Sequence, residues 1–250
     1  MKIGQIARTC SVFGVDFIVV FRDPRGRGES SLIRRVLEYL ETPQYLRRRL
    51  FPLDATLKFA GLLPPLRIPS HKPKVPLERL RTGEFREGVV LADGGSVDVG
   101  LDSPVSIRQG VGEGKRVTIR ITSTSPLQGL LVEREDVKEY WGYRVEVASV
   151  EHLLTDSRFG VRVATSRMGD PLESRLASLV EESRKTRGLM LLFGAPSRGL
   201  FDMVKDLRTK ADFVLNLYPE QNTVTIRTEE AIASGLYLAQ LLSVLGNTKA

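Results

Sequence analysis

Residues 215–231 read LNLYPEQNTVTIRTEEA. Just ahead of them, residues 211–214 begin an apolar strand. Just behind them, IASGLYLAQLLSVLG (232–246) is apolar on almost every helical face. A plain connection from strand to helix is shorter and uses Gly or Asp. Here Tyr218, Pro219, Gln221, Asn222 and Thr223 fill a long kink that holds no glycine. The C-terminal part of the chain therefore departs from a simple βα unit.

Working outward, strand and helix patterns alternate. VRVATS (161–166), LMLLF (189–193) and DFVLNL (212–217) are short apolar runs that read as buried strands. PLESRLASLVEESRKTR (171–187) has amphipathic helical spacing, and the last helix is expected from about Thr228 to Leu245. Near the start, Met1–Phe13 places Ile3, Ile6, Ala7 and Cys10 on one helical face, and FIVVF within Asp16–Arg22 is a strand. A helix runs from Ser30 or Ser31 toward Tyr39, and Pro43 ends it. Residues 44–50 are helical and carry Arg47, Arg48 and Arg49, and the proline-rich residues 50–76 fit no regular element. The grammar changes between residues 83 and 147. FREGVVL, SVDVGL, PVSIRQ, RVTIRIT, LQGLLV and YRVEVA alternate in polarity and are separated by Gly, Pro and Asp. Five or six strands at this spacing, with no crossover helix, make a small antiparallel barrel. An α/β domain formed by residues 1–73 and 150–250 is thus interrupted by an all-β insertion at 74–149.

Composition narrows the function. The chain has 250 residues, enough to bury a substantial core in one or two domains. Charges interrupt every apolar run before it reaches the length of a membrane span, and Met1–Cys10, with no long apolar core and no small-residue cleavage site, is not expected to act as a secretion signal. Cys10 is the single cysteine, so no disulfide forms within the chain, and a cytoplasmic location is expected. His71 and His152 lie far apart without cysteine companions, so no metal site is expected. Lys and Arg number 37 against 30 Asp and Glu, a net charge of +7, which favours a polyanionic partner such as RNA. GxGxxG between a first strand and its helix, GxxxxGK[ST] and GxSxG are all missing from the sequence.

In open α/β sheets, ligands bind at the carboxyl ends of the strands. Three such ends are unusual here: TSRMGDP after VRVA, GAPSRGL after LMLLF, and NLYPEQNTVTIR after DFVL. With these loops the chain resembles a known family. GQIARTCSVFGVDFIVVFRD, FAGLLPPLRIP, FREGVV, EYWGYRV, ATSRMGDP, LLFGAPSRGL and LNLYPEQNTVTIRTEEAIASGLYLAQLL occur in this order in the SPOUT-class RNA methyltransferases, in the archaeal and eukaryotic branch with an inserted OB-like domain. The resemblance covers nearly the whole chain. Members usually begin with a further apolar strand, whereas here MKIGQIA opens the sequence.

The resemblance implies a Rossmann-like open sheet with a C-terminal trefoil knot, a homodimer built around the knot, and S-adenosyl-L-methionine bound there by main-chain groups. On this reading the 216–228 segment is threaded backbone around the cofactor. Carried over by position, the cofactor-binding residues are Ser166, Arg167 and Gly169 in the first loop, and Phe193, Gly194 and Gly199 in the second. Asn216, Leu217, Tyr218, Thr223, Val224, Arg227 and Thr228 follow in the third. Thr228 also suits the N-cap of the last helix. The all-round apolar surface of that helix, with Leu236, Leu238, Leu241, Leu242, Val244 and Leu245, is consistent with a dimer contact.

Methyl transfer from a sulfonium needs alignment and, for a ring N–H or hydroxyl, removal of a proton. Arg167, Asp170 and Arg198 are the candidate catalytic residues, with Glu173 a second candidate base and Arg227 a further candidate cation. Candidate RNA contacts are Arg25 and Arg27 in the RGRG loop and Arg86, Arg108, Lys115, Arg116 and Arg120 in the insertion. Trp141 and Tyr143 read as packing residues at the end of the insertion. The expected substrate is a base or ribose of a structured rRNA or tRNA. The alternative is a non-catalytic, knotted RNA-binding protein that keeps the knot for dimerisation.

Overall fold

The computed structural model describes residues 1–22, 28–186 and 188–247. Along these the chain forms α1 (Lys2–Val12), β1 (Phe17–Phe21), α2 (Ser30–Glu41), α3 (Arg47–Leu50), β2 (Phe85–Val90), β3 (Ser96–Asp98), β4 (Val105–Ile107), β5 (Arg116–Thr124), β6 (Leu127–Val132), β7 (Arg144–Ala148), α4 (Val150–Thr155), β8 (Val161–Pro171), α5 (Leu172–Lys185), β9 (Leu189–Leu192), α6 (Leu200–Met203), α7 (Leu207–Lys210), β10 (Phe213–Asn216) and α8 (Thr228–Asn247). Two compact units result. One comprises Met1–Phe13, Ile18–Arg34 and Val145–Ala250, and the other Gly14–Phe17 and Arg35–Arg144.

In the first unit β10, β8 and β9 form a parallel sheet in that order, and β1 pairs with β7. The strands alternate as period two requires. Val161, Val163, Phe213 and Leu215 turn to one face, where they pack with Leu179 of α5 and with Leu238 and Leu242 of α8. Ala164, Met190, Leu192 and Val214 turn to the other face, against Leu153, Leu200 and Leu207 of α4, α6 and α7. Both faces are covered, which explains why these strands read as continuous apolar runs. Each fully buried leucine contributes on the order of 1.5–3 kcal/mol. α5 meets the sheet through Leu172, Leu176, Leu179 and Val180, with Glu173 in its first turn and Arg184 and Lys185 in its last. α8 is not uniformly buried. Leu238 and Leu242 are inside at 4% and 2% exposure, while Tyr237 and Val244 are 63% and 61% exposed.

The second unit is built on a closed barrel of order β2-β3-β4-β6-β5. It is not wholly antiparallel, because β4 and β6 run parallel. Val90, Val97, Val99, Val105, Ile107, Ile119 and Ile121 fill it. Gly129 is needed at the wall, since a Cβ there would lie 2.4 Å from Ile119 Cγ2. YRVEVA, the last of the alternating runs, lies outside the barrel, and its strand β7 pairs with β1. Residues 35–73, expected with the α/β part, belong to this unit. Tyr143 Oη donates to the Leu37 carbonyl at 3.0 Å, and Tyr45 Oη to that of Glu87 at 2.9 Å. Trp141 and Tyr143 are 3% and 1% exposed, the packing role read from their position.

Candidate active site and RNA interface

Because β8, β9 and β10 are parallel, their carboxyl ends fall on one edge of the sheet, and the three unusual loops leave from there. The first is an excursion of β8. Val214 of β10 aligns with Ala164, but the next residue, Leu215, aligns with Asp170. Residues 165–169, TSRMG, are therefore looped out of the ladder. The loop closes at Gly169, where a Cβ would lie 2.5 Å from the carbonyl carbon of Leu215 and 2.8 Å from the nitrogen of Asn216. No side chain fits against backbone at that range. Four hydrogen bonds pin the excursion. Thr165 Oγ1 donates to the Leu192 carbonyl at 3.0 Å, and the Met168 amide to Ser166 Oγ at 3.1 Å. Asn216 Nδ2 donates to the Arg167 carbonyl at 3.2 Å, and Arg208 to that of Met168 at 2.8 Å.

The second loop is tight at Gly194, whose Cβ would lie 2.9 Å from the Arg198 carbonyl oxygen. Arg198 donates to the Asp202 carbonyl at 2.8 Å, and the Gly199 amide to the Asp202 carboxylate at 3.2 Å. The ring of Phe193 packs against α8 at Gly235, where a Cβ would come within 2.9 Å of its Cζ.

The third loop supports itself through its own polar side chains. Asn216 Oδ1 accepts from the Tyr218 amide at 2.9 Å. Gln221 Nε2 donates to the Thr223 carbonyl at 2.8 Å, and Thr223 Oγ1 to that of Thr225 at 3.1 Å. Tyr218 Oη ties the loop to α8, 2.5 Å from Ser234 Oγ and 3.1 Å from the Glu230 carbonyl. Gln, Asn, Thr and Tyr thus do locally what glycine-based turns do elsewhere. Val224, by contrast, is 86% exposed. Thr228 opens α8 rather than capping it, and the cap is the Glu230 carboxylate accepting from the Arg227 amide at 2.9 Å.

The candidate catalytic residues divide. Arg167 is exposed on the excursion. Asp170, at its foot, is held by Arg208 at 3.0 Å and Arg175 at 3.3 Å. Glu173 is exposed in the first turn of α5. Sequence reading missed Arg175 and Arg208, whose link to Asp170 depends on the register of β8 against β10.

The insertion's cations also divide. Arg108, Lys115 and Arg120 are exposed. Arg86 is 0% exposed, with its guanidinium bonded to the Val99 and Pro73 carbonyls and to Glu84, so it is a core residue and not an RNA contact. Arg116 is also withdrawn from RNA, because it bridges two buried carboxylates, Glu41 and Glu87, at 2.6 Å each. Arg134 binds Glu41 at 2.8 Å, while Thr118 and the Trp141 indole donate to Glu87. Burial pushes the Glu41 carboxyl upward, against the pull of Arg116 and Arg134. Arg25 and Arg27 lie outside the described residues. Among the described residues no group of His, Cys, Asp or Glu could hold a metal ion, and no helix is long and apolar enough to cross a membrane.

The chain thus holds an α/β unit with three irregular loops at the strand ends and a small barrel with exposed cations. The chain belongs to the family described as "Putative RNA methyltransferase", whose model matches residues 1–239. It is therefore an RNA methyltransferase. It is 34% identical to an uncharacterised protein of Halobacterium salinarum, over 94% of this chain and 89% of that one. It is 33% identical to the mouse 28S rRNA (uridine-N(3))-methyltransferase, over 95% of this chain and 70% of that one. The human 28S rRNA (uridine-N(3))-methyltransferase is 32% identical, over 95% and 71%.

Proposed function

We propose that this RNA methyltransferase uses S-adenosyl-L-methionine and methylates N3 of a uridine in large-subunit rRNA. The observation that carries the reading is the set of three irregular loops at the carboxyl ends of β8, β9 and β10, the first and third in contact at Gly169 and Asn216. Gly169 and Gly194 keep the first two loops close to backbone, and the third presents irregular main chain, a combination suited to a flat adenosine held by main-chain groups. Ser166, Arg167, Gly169, Phe193, Gly194, Gly199, Asn216, Leu217, Tyr218, Thr223, Val224, Arg227 and Thr228 are the residues and neighbours that would line it. We further assign the chain to the SPOUT class, with residues 216–228 threaded as a knot. We also propose a homodimer, since Tyr237, Leu241, Val244 and Leu245 of α8 form an exposed apolar strip at helical spacing. The mouse and human relatives support the choice of uridine N3.

When bound, the cofactor supplies an electrophilic methyl group on a sulfonium. The chain must align uridine N3 with it and accept the N3 proton. Asp170 shares its carboxylate with two guanidiniums, which anchors the foot of the first loop. Asp170 and Glu173 are the candidate carboxylates to take the proton, and Arg167 and Arg198 the candidate cations to meet an RNA phosphate. Titration calorimetry tests the cofactor assignment. S-adenosylhomocysteine should bind, with NAD and ATP far weaker. Wild-type protein giving no heat with either S-adenosylmethionine or S-adenosylhomocysteine would remove the assignment.

A further inference from the structure

The barrel presents two clefts of similar size and opposite character. One, of about 480 Å³, is lined by Glu87 and Glu133 as well as Arg116, Arg134 and Arg144, and Arg116 and Arg134 are already bound to carboxylates. The other, of about 450 Å³, opens on the outer face of β4, β6 and β5, and no carboxylate lines it. Its polar lining is Ser106, Arg108, Gln109, Thr122 and Gln128, and Leu130 supplies an apolar surface.

The strand pattern puts these groups outside the barrel. On β5, Ile119 and Ile121 are 0% exposed and point inward, so Arg120 between them points outward. On β6, Leu130 is 52% exposed. On β4, Ser106 is exposed between the buried Val105 and Ile107. Register then builds a row. Arg120 stands opposite Leu130 on one side and Phe85 on the other. Arg108 follows the Ile107–Gly129 pair, which brings it beside Leu130 across the parallel pair. An uncharged apolar surface is thus flanked by guanidiniums on both sides, with strands about 4.8 Å apart.

We propose that this face binds single-stranded RNA, with one unpaired base seated on Leu130 in the cleft and its flanking phosphates met by Arg108 and Arg120. The amides of Gln109 and Gln128 each carry donors and an acceptor for a base edge. A duplex would offer phosphates but no unstacked base for Leu130 and the amides. Five-stranded barrels of this kind commonly bind nucleic acid on their second and third strands. Here that face begins with β3, a strand of three residues whose Asp98 is bonded to Arg49 at 2.7 Å. That pair is net neutral, whereas Arg108 and Arg120 make the β4–β6–β5 face the basic one. The proposal deepens the reading of the chain as an RNA enzyme and rests on it for the nature of the partner.

The test uses the full chain and fluorescence anisotropy with a labelled oligouridylate, and a duplex RNA of equal length as competitor. Leu130→Asp should weaken oligouridylate binding about 10-fold or more, as expected for losing one stacked base. Arg108→Ala and Arg120→Ala should each weaken it several-fold and lower the slope of log affinity against log salt by about one phosphate contact. These side chains are on the surface, and unchanged circular dichroism and melting should accompany the loss. Gln128→Ala, another surface change, gives a second readout and should weaken binding without altering the salt slope. Wild-type protein that does not bind the oligomer, folded variants that bind it as wild type does, or equal competition by the duplex would each overturn the proposal. Calorimetry with S-adenosylhomocysteine on the same proteins keeps the two readings apart. Lost cofactor binding with the oligomer effects intact removes the methyl donor and leaves this surface standing.

Discussion

The buried arginines of the barrel unit and the exposed arginines at the strand ends of the α/β unit do opposite work. In the barrel unit Arg86 is withdrawn from water and Arg116 is half-buried, and their guanidiniums are engaged by carbonyls and carboxylates. At the strand ends of the α/β unit Arg175 and Arg208 remain exposed and hold a loop by gripping Asp170. The count of 37 Lys and Arg therefore overstates the cations offered to RNA, because some of them are neutralised by carboxylates within the fold. Burial decides which arginine is architecture, and burial is set by pairing partners distant in sequence.

The largest expected effect tests the buried side of that contrast. Arg116→Ala leaves Glu41 and Glu87 without their shared cation, and removing one partner of a buried pair typically costs about 3–5 kcal/mol. Urea unfolding followed by Trp141, the chain's single tryptophan and itself a donor to Glu87, reads this directly. A loss under about 1 kcal/mol would place Arg116 with surface pairs and erase the distinction.

A smaller effect tests the exposed side. Gly169→Ala forces a methyl group against the backbone of Leu215 and Asn216, and overpacking of this sort costs about 1–3 kcal/mol. The expected outcome is a folded protein with modestly lower stability and at least 10-fold weaker S-adenosylhomocysteine binding by calorimetry. Wild-type affinity in this variant would show that the excursion of β8 does not shape the cofactor site.

The smallest effect concerns pH. His71, bonded to the Glu41 carbonyl at 2.8 Å, has its pKa lowered mainly by burial, with Arg47 and Arg116 adding to it. A depressed folded value means that its contribution is complete above the ordinary histidine range and is lost as pH falls through the folded value. Stability of the barrel unit should therefore decline as pH falls below the ordinary histidine value of about 6.5. The His71→Gln variant should show a shallower decline in urea titrations, and an unchanged slope would assign the pH dependence to other groups.

Much of the fold was legible because local pattern and tertiary placement agree. FIVVF, LMLLF and DFVLNL are strands, and the helices after Leu172 and Thr228 lie where their spacing put them. Arg86 carried a readable signal of burial. It shares strand parity with Gly88 and Val90, and Val90 points into the barrel. Arg116 carried none, for its parity is that of the outward Arg120, and its burial comes from Glu41 on α2. The excursion at 165–169 was equally hidden. VRVATSRMGDP reads as one strand and a loop, and only its alignment with β10 shows where the ladder breaks and resumes. At the site, the loops were legible as departures from ordinary turns. The clamps on Asp170 and Tyr218 were not, because they depend on side chains that meet across elements.

The most direct measurement is nucleoside mass spectrometry of an unmodified large-subunit rRNA transcript incubated with the purified protein and S-adenosylmethionine carrying a deuterated methyl group. The expected result is deuterated N3-methyluridine at one position, lost with S-adenosylhomocysteine in excess and strongly reduced in Gly169→Ala. A protein that binds the cofactor analogue and the transcript yet yields no labelled nucleoside, or labels a ribose or another base in its place, would contradict the account.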